Sequence, residues 1–315
     1  MDLDEYFSKQ STLDSDDAPE GFRSGFVTLI GRPNAGKSTL LNALAGQKVA
    51  ITSKTSQTTR TRIQAIVNDD MFQLAIVDTP GIHKPKDVLG EQLNETALSA
   101  LDDVDIACMV IDASKPIGRG DEWVARHVAK SDAKKVCVLS KSDIATKEQV
   151  AEQHLAADKL LQWDSMVLLS AKRGYNLDAF IEECVQLLPE GPRWFPSSMT
   201  TDQSEESLIA EFIREKILRS FKDEIPHSVG VSIDQFEYSK KKRMYFIEAT
   251  VLTERDSQKA ILIGKGGKAI KKVGVQARSE LELLLGCKVY LGLSVKVKRG
   301  WRSDDSQLRR FGYME

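Results

Sequence analysis

The eight residues Gly31-Arg32-Pro33-Asn34-Ala35-Gly36-Lys37-Ser38 have the form GxxxxGKS and are the strongest chemical signal in the chain. The apolar run 25–30 before them reads as a buried strand, and the run 39–45 after them reads as a helix that opens at Thr39. A strand, a glycine-bearing loop and a helix N-terminus form a phosphate cradle. Loop amides point at anionic oxygens, and the helix end adds partial positive charge. In such a loop Lys37 reaches the β- and γ-phosphates, and the Ser38 hydroxyl sits on Mg²⁺.

That loop identifies a nucleoside triphosphate without naming the base. The parts that select guanine follow in order. Asp78-Thr79-Pro80-Gly81 ends an apolar run and matches DxxG, in which the carboxylate holds Mg²⁺ and the glycine amide meets the γ-phosphate. Ser140-Lys141-Ser142-Asp143 ends the run 135–139. The Asp143 carboxylate can accept from guanine N1–H and from the exocyclic amine, whereas adenine offers neither donor. Ser170-Ala171-Lys172 ends the run 166–169 and supplies a backbone amide for guanine O6. Each motif lies at the C-terminal end of a strand-like run, where open parallel sheets bind ligands. Position 140 usually carries Asn in GTPases of this kind. Serine is too short to reach both base and phosphate loop, so guanine selectivity is expected with lower affinity.

Residues 52–62 are polar and lack apolar periodicity, the pattern of a mobile loop. Thr59, in preference to Thr58, is expected to complete the Mg²⁺ shell with Ser38 and Asp78. Ile82 follows Gly81 where a glutamine would orient the attacking water, so slow intrinsic hydrolysis is expected. The amide oxygen of Asn34 suggests a K⁺ ion beside the β,γ-oxygens. The expected catalytic set is Asn34, Lys37, Thr59, Asp78 and Gly81. His83 is read as a solvated loop residue.

The elements that must hold these residues fall into two domains. The chain has 315 residues and is 41% hydrophobic. It has neither an apolar run approaching ~18 residues nor a secretory signal, which excludes a spanning helix and export. Four cysteines, 108, 137, 184 and 287, lack CxxC spacing. Cys108 and Cys137 are read as core residues of a reduced, cytoplasmic protein. The net charge of −2 conceals an asymmetry. Residues 1–205 carry 22 Lys and Arg against 31 Asp and Glu, whereas 206–315 carry 22 against 15. A basic C-terminal part suggests a polyanionic partner. A stretch rich in Pro, Ser and Thr over 189–205 marks the boundary. The expected division is an acidic disordered leader 1–21, a nucleotide domain 22–190, a linker 191–205, a second domain 206–300 and a tail 301–315.

The second domain reads α-β-β-α-α-β, with Gly264-Lys265-Gly266-Gly267 between the two central helices. That is the layout of a type II KH domain. Its glycines let a nucleotide backbone lie against a helix N-terminus, and such grooves take about four single-stranded nucleotides. Ile263, Gly264, Lys265, Gly266, Gly267, Lys268, Lys271 and Lys272 are the expected RNA contacts. Ile261, Leu262 and Ile263 are expected to floor the groove.

Over residues 22–315 the chain resembles the bacterial Era GTPases, of the TrmE-Era-EngA-like translation-factor class. The likeness rests on GRPNAGKSTLLNAL, QTTRTR, DTPGIHKP, SAKRGYN, LPEGP, IAEFIREKIL and ILIGKGGKAIKKVG. The resemblance implies an α/β P-loop GTPase domain with a mostly parallel sheet, followed by an α+β type II KH domain. It implies GTP/GDP and Mg²⁺ as ligands and GTP-favoured binding to the 3′ end of small-subunit (16S) rRNA. It further implies a role in small-ribosomal-subunit assembly, a monomeric state and peripheral contact with the inner membrane. A GTPase of tRNA modification or membrane transport would lack GxxG. A silent nucleotide fold would not keep Lys37, Ser38 and Asp78.

Overall fold

A computed structural model describes residues 18–55, 57–85, 87–311 and 313. Most of the expected acidic leader, residues 1–17, lies outside the described residues. The N-terminal domain is built from β1 (Arg23–Ile30), α1 (Lys37–Leu44), β2 (Ile63–Asn68), β3 (Phe72–Asp78), α2 (Val88–Ser99), β4 (Ile106–Asp112), α3 (Arg119–Val128), β5 (Lys134–Ser140), α4 (Lys147–Asp158), β6 (Ser165–Leu168) and α5 (Leu177–Leu187). The sheet order is β2-β3-β1-β4-β5-β6. Every pairing is parallel except β2 with β3.

Strands β4 and β5 are apolar on both faces because helices cover both faces. Cys108 and Val110 pack with Leu40 and Phe180 on one side, while Ala107, Met109 and Ile111 pack with Val124 and Ala157 on the other. All four cysteines are free thiols, and burial pushes the Cys137 thiol up to about 12. Each central parallel strand therefore ends at one rim, and the motif loops leave from that rim.

Residues 189–203 do not hang free between the domains. Thr201 bridges to Ala65, Ile66 N–H donates to Thr200 O, and Gln73 donates to Phe195 O. This segment covers the edge strand β2, which would otherwise present unpaired backbone groups.

The second domain contains α6 (Glu205–Ser220), α7 (Ile225–Ser228), β7 (Gly230–Ser239), β8 (Met244–Thr253), α8 (Asp256–Ile263), α9 (Lys268–Leu285) and β9 (Lys288–Val297). Strand β8 is central, antiparallel to β7 and parallel to β9. Alternate residues Ile247, Ala249 and Val251 of β8 face Phe212, Ile213, Leu262, Val273 and Ala277 from the helices. Ile51 of the nucleotide domain enters this same core.

The C-terminal residues are not a tail. A turn at Trp301–Ser303 leads into α10 (Asp305–Arg310). Trp301, Leu308 and Tyr313 are buried against Leu89 and Leu93 of α2, and Arg302 pairs with Asp87 at 2.8 Å. This segment thus joins the KH-type domain to the helix that follows Gly81.

Candidate nucleotide site and RNA-binding loop

The loop after β1 needs its glycines for close approach. A Cβ on Gly31 would lie 2.5 Å from Val110 O, and one on Gly81 would lie 2.6 Å from Pro33 Cα. Gly36 caps α1 without a side-chain acceptor, and the first turn of α1 carries no acidic residue. Its amides therefore have no competing anion within the helix. Lys37 is buried, with Nζ donating to Gly31 O at 3.2 Å and Arg32 O at 3.3 Å. Burial pulls its pKa below the ordinary ammonium value, against the opposing pull of Asp78.

Three side chains from separate elements converge beside Lys37. Ser38 Oγ donates to Asp78 Oδ2 at 2.6 Å and lies 2.8 Å from Thr59 Oγ1. Thr59 Oγ1 is 3.3 Å from the same carboxylate oxygen. Thr58 is turned away, bonded to Ser53 and Thr55 O. Burial raises the Asp78 pKa, while Lys37, the two hydroxyls and the Thr79 amide pull it back. Among the described residues, Asp78 Oδ1 has no hydrogen-bond partner. A buried carboxylate oxygen beside two hydroxyls, facing a phosphate cradle, fits a hard divalent cation such as Mg²⁺.

A cavity of about 380 Å³ adjoins this cluster, lined by Asn34, Lys37, Ser38, Thr39, residues 51–55 and 57–59, Gly81 and Lys141 among others. The Asn34 amide nitrogen donates to Lys54 O at 2.9 Å and ties the phosphate loop to the polar loop. A second cavity of about 460 Å³ contains Ser142, Asp143, Ser170, Arg173 and Tyr175. Asp143 Oδ1 accepts from Ser170 Oγ at 2.7 Å, which holds the carboxylate in this wall. Arg32 and Ala35 line a smaller hollow with Asp112, and Arg32 is paired with Asp121 at 2.9 Å.

Ser140 keeps half of what Asn would do. Its hydroxyl reaches Ala35 O at 2.5 Å and Ile111 O at 3.0 Å, so the link to the phosphate loop survives. One hydroxyl proton is shared by two carbonyls, which leaves no donor for a base.

Several sequence expectations change here. Thr79 belongs to the DxxG segment, but its hydroxyl donates to Leu29 O and ties β3 to β1. Pro80 is buried. The Lys172 side chain is exposed, and Arg173 and Tyr175 line the base-side cavity with Ser170. His83 is not simply solvated: Nδ1 is 3.1 Å from Gly81 O and Nε2 is 2.8 Å from Gln57 Nε2. With the Gln57 amide donating, His83 accepts at Nε2 and donates from Nδ1. Ile82 is buried in the core, so its side chain cannot orient water. Asp112 was missed. It holds Lys141 Nζ at 2.6 Å, and Lys141 also donates to Asn34 O at 2.6 Å. Its signal was available, since Asp112 ends an apolar strand at the same rim.

At the GxxG turn, Gly264, Gly266 and Gly267 all have positive φ, at 68°, 60° and 75°. A Cβ on Gly266 or Gly267 would meet nothing within 4 Å, so the loop has open space above it. Helix α9 starts there with no side-chain cap and no acidic residue in its first turn. Lys265, Lys268, Lys271 and Lys272 are exposed around it. Leu262 does not floor a groove. It is fully buried in the core, while Ile261 is half-exposed and Ile263 partly exposed.

Comparison with known proteins agrees with this two-part construction. The family described as 50S ribosome-binding GTPase matches residues 26–141, and the KH domain family matches residues 224–302. GTPase Era from Caldicellulosiruptor saccharolyticus is 43% identical over 293 residues, 93% of this chain and 98% of that protein. Crystal structures of Era superpose with a TM-score of 0.89 at 36% identity, over 93% of this chain and all of theirs. One is an Aquifex aeolicus Era variant bound to GDP and aluminium fluoride. Another is Era in complex with MgGDPNP and nucleotides 1506–1542 of 16S ribosomal RNA. With both modules matched in one polypeptide and likeness running through nearly its whole length, the chain belongs to the Era family of GTPases.

Proposed function

We propose that the protein is a GTP-hydrolysing switch that binds the 3′ end of small-subunit rRNA and assists assembly of the small ribosomal subunit. The observation that carries the nucleotide half is the convergence of Ser38, Thr59 and Asp78 beside Lys37. The rRNA half draws on the relative's complex with 16S RNA and on the open, lysine-rimmed GxxG turn of this chain. The phosphates lie along 31–39 and against Gly81, and guanine lies against Asp143 and Ser170. Ser38, Thr59 and Asp78 would hold Mg²⁺, which would neutralise phosphate charge there. Lys37 and the α1 amides stabilise charge on the transferred group. Ile82 offers no hydrogen bond to water, so unstimulated hydrolysis is slow. Asn34, with Lys54 O beside it, is read as a K⁺ site, and faster turnover in KCl than in NaCl is the expected result. A monomeric state, a cytoplasmic location and peripheral contact with an anionic membrane belong to the same reading. Among the described residues, no helix is long and apolar enough to cross a membrane.

The test is binding of a labelled oligonucleotide of the rRNA 3′ tail, with GDP and with a non-hydrolysable GTP analogue. Tight binding with the analogue, weaker with GDP and lost in Lys265→Asp/Gly266→Asp, is expected. Equal binding with both nucleotides would separate the two domains functionally. No binding would redirect the search to another RNA. For the base, Asp143→Asn is expected to shift preference from GTP to xanthosine triphosphate.

A further inference from the structure

Among the described residues between 52 and 62, the loop that carries Thr59 has no helix or strand of its own, so its anchors determine its position. On the nucleotide side they are few: Lys54 O to Asn34, Gln57 to His83, and Thr59 to Ser38 and Asp78. Gln203 of the connecting segment donates to Arg62 O, and further anchors come from the KH domain. Thr52 N–H donates to Glu215, and Arg219 donates to Thr52 O.

Two further anchors flank Thr59 directly. Thr58 O accepts from Arg214 Nη2, whose side chain is fully buried on α6 and oriented by Glu211. On the other side the whole Arg60 side chain enters the KH domain and is 1% exposed. It donates to Val229 O at 2.7 Å, His227 O at 3.2 Å and Pro226 O at 3.3 Å. Its guanidinium lies 5.8 Å from the Trp301 ring and 5.5 Å from the Tyr313 ring.

This is an expensive way to hold two domains together. Among the described residues Arg60 makes no ion pair, and Arg60 Nε and Arg214 Nη1 are buried without an acceptor. An apolar contact of the same volume gives equal or greater stability than incompletely paired buried charge. What arginine adds is direction, because a planar fork bonded to fixed carbonyls defines the path of the backbone that bears it.

We propose that Arg60 and Arg214 are positioning residues for GTP hydrolysis. They clamp the peptide on both sides of Thr59 to the KH domain, so that Thr59 reaches Ser38 and Asp78 only while that domain is docked. The KH domain is then a structural part of the Mg²⁺ site. Coupling between the sites is reciprocal, so whatever loosens the docked domain also weakens the response to the γ-phosphate. The inference rests on the reading of Ser38, Thr59 and Asp78 as the Mg²⁺–GTP site.

The test uses the full-length protein and compares wild type, Thr59→Ala, Arg60→Met, Arg60→Lys, Arg214→Met and the double variant Thr59→Ala/Arg60→Met. Affinity for fluorescent GDP and for a non-hydrolysable GTP analogue is measured across Mg²⁺ concentration, together with single-turnover hydrolysis. Arg60→Met and Arg214→Met should lower the preference for the GTP analogue over GDP by at least about fivefold, within the usual range of site coupling. They should raise the Mg²⁺ needed for half-maximal hydrolysis and leave GDP affinity within about twofold, the scatter of independent effects. Arg60→Lys, which keeps the charge and one donor, should recover part of the loss. The double variant should behave as Thr59→Ala alone.

If the effects of Thr59→Ala and Arg60→Met multiply, or if Arg60→Met lowers thermal stability without changing nucleotide preference or Mg²⁺ dependence, the arginines only join the domains and the proposal is overturned. Should Arg60→Met not fold, Arg60→Lys and Arg214→Lys allow the same comparison. A wild-type protein whose GTP-analogue affinity ignores both Mg²⁺ and Thr59→Ala overturns the site assignment itself, and the proposal with it.

Discussion

Ser140 shows how one side chain can keep a scaffold contact while losing a ligand contact. Its hydroxyl joins the end of β5 to the phosphate loop at Ala35 O and to β4 at Ile111 O. Ser140→Ala would leave both buried oxygens without that donor, a loss of about 1 kcal/mol. Because one oxygen belongs to the phosphate loop, part of that loss should appear in binding. GDP affinity measured by fluorescence titration should fall roughly twofold, as half of that loss would give. Asp78 leads to a prediction of opposite sign for stability. Burial raises its pKa, and a raised carboxylate pKa means that ionisation costs stability. That increment is present at low pH and is lost as pH rises through the elevated folded value. Asp78→Asn removes the charge, so the nucleotide-free protein at neutral pH should melt about 2 °C higher, equivalent to ~1 kcal/mol. The same variant should lose the thermal shift that Mg²⁺ and GTP analogue together give the wild type. A lower Tm for the nucleotide-free variant would show that Asp78 contributes to stability rather than opposing it.

Elements differ in how openly the chain announces them. The phosphate loop, β1, β3, β5 and the α-β-β-α-α-β order of the second domain were legible because apolar runs stop at glycine- or aspartate-bearing turns. The antiparallel placement of β2 was not, since a short apolar run carries no direction. Helix α10 was also missed, for a physical reason. It is six residues long and rich in charge, and among its described side chains only Leu308 is buried. Its stability comes from a partner surface on α2, more than two hundred positions away in the chain. Trp301 holds that contact. It is fully buried, donates from Nε1 to Ser228 O at 3.0 Å, and packs edge-on against Phe311. Trp301→Ala should cost about 3–5 kcal/mol, the usual loss for a buried large aromatic. Urea denaturation should show the drop in midpoint. Limited proteolysis should then cut first within 301–311, because without the Trp301 ring only Leu308, Tyr313 and the Arg302 ion pairs still hold this segment.

At the scale of the whole molecule, the interface between domains is written in residues that usually lie outside. Buried Arg60, Arg214 and Glu215 would each be placed on the surface by composition alone. Their burial depends on two surfaces meeting, which no local pattern records. The polar heart of that interface is a cluster of Lys48, Glu215, Lys216 and Glu280. Glu215 takes Lys48 at 2.6 Å and Lys216 at 2.8 Å, and Glu280 pairs with the same two lysines. Glu280 lies on α9, the helix that begins at the GxxG turn, so that helix is tied directly to the nucleotide domain. Burial alone would raise both carboxyl pKa values, but hydrogen bonds from Lys216 and Lys48 outweigh it and hold both low. A depressed carboxylate pKa contributes stability above the unfolded value of about 4.3 and loses it as pH falls through the folded value. The domains should therefore unfold together at pH 7. As pH falls below the unfolded value and through the lower folded values, calorimetry should resolve two transitions, as protonated Glu215 and Glu280 release the lysines. Glu215→Gln should bring that separation to neutral pH, since breaking a buried pair costs about 3 kcal/mol or more. One unchanged cooperative transition in the variant at pH 7 would mean that the apolar contacts at Ile51 and Trp301 suffice to hold the domains together.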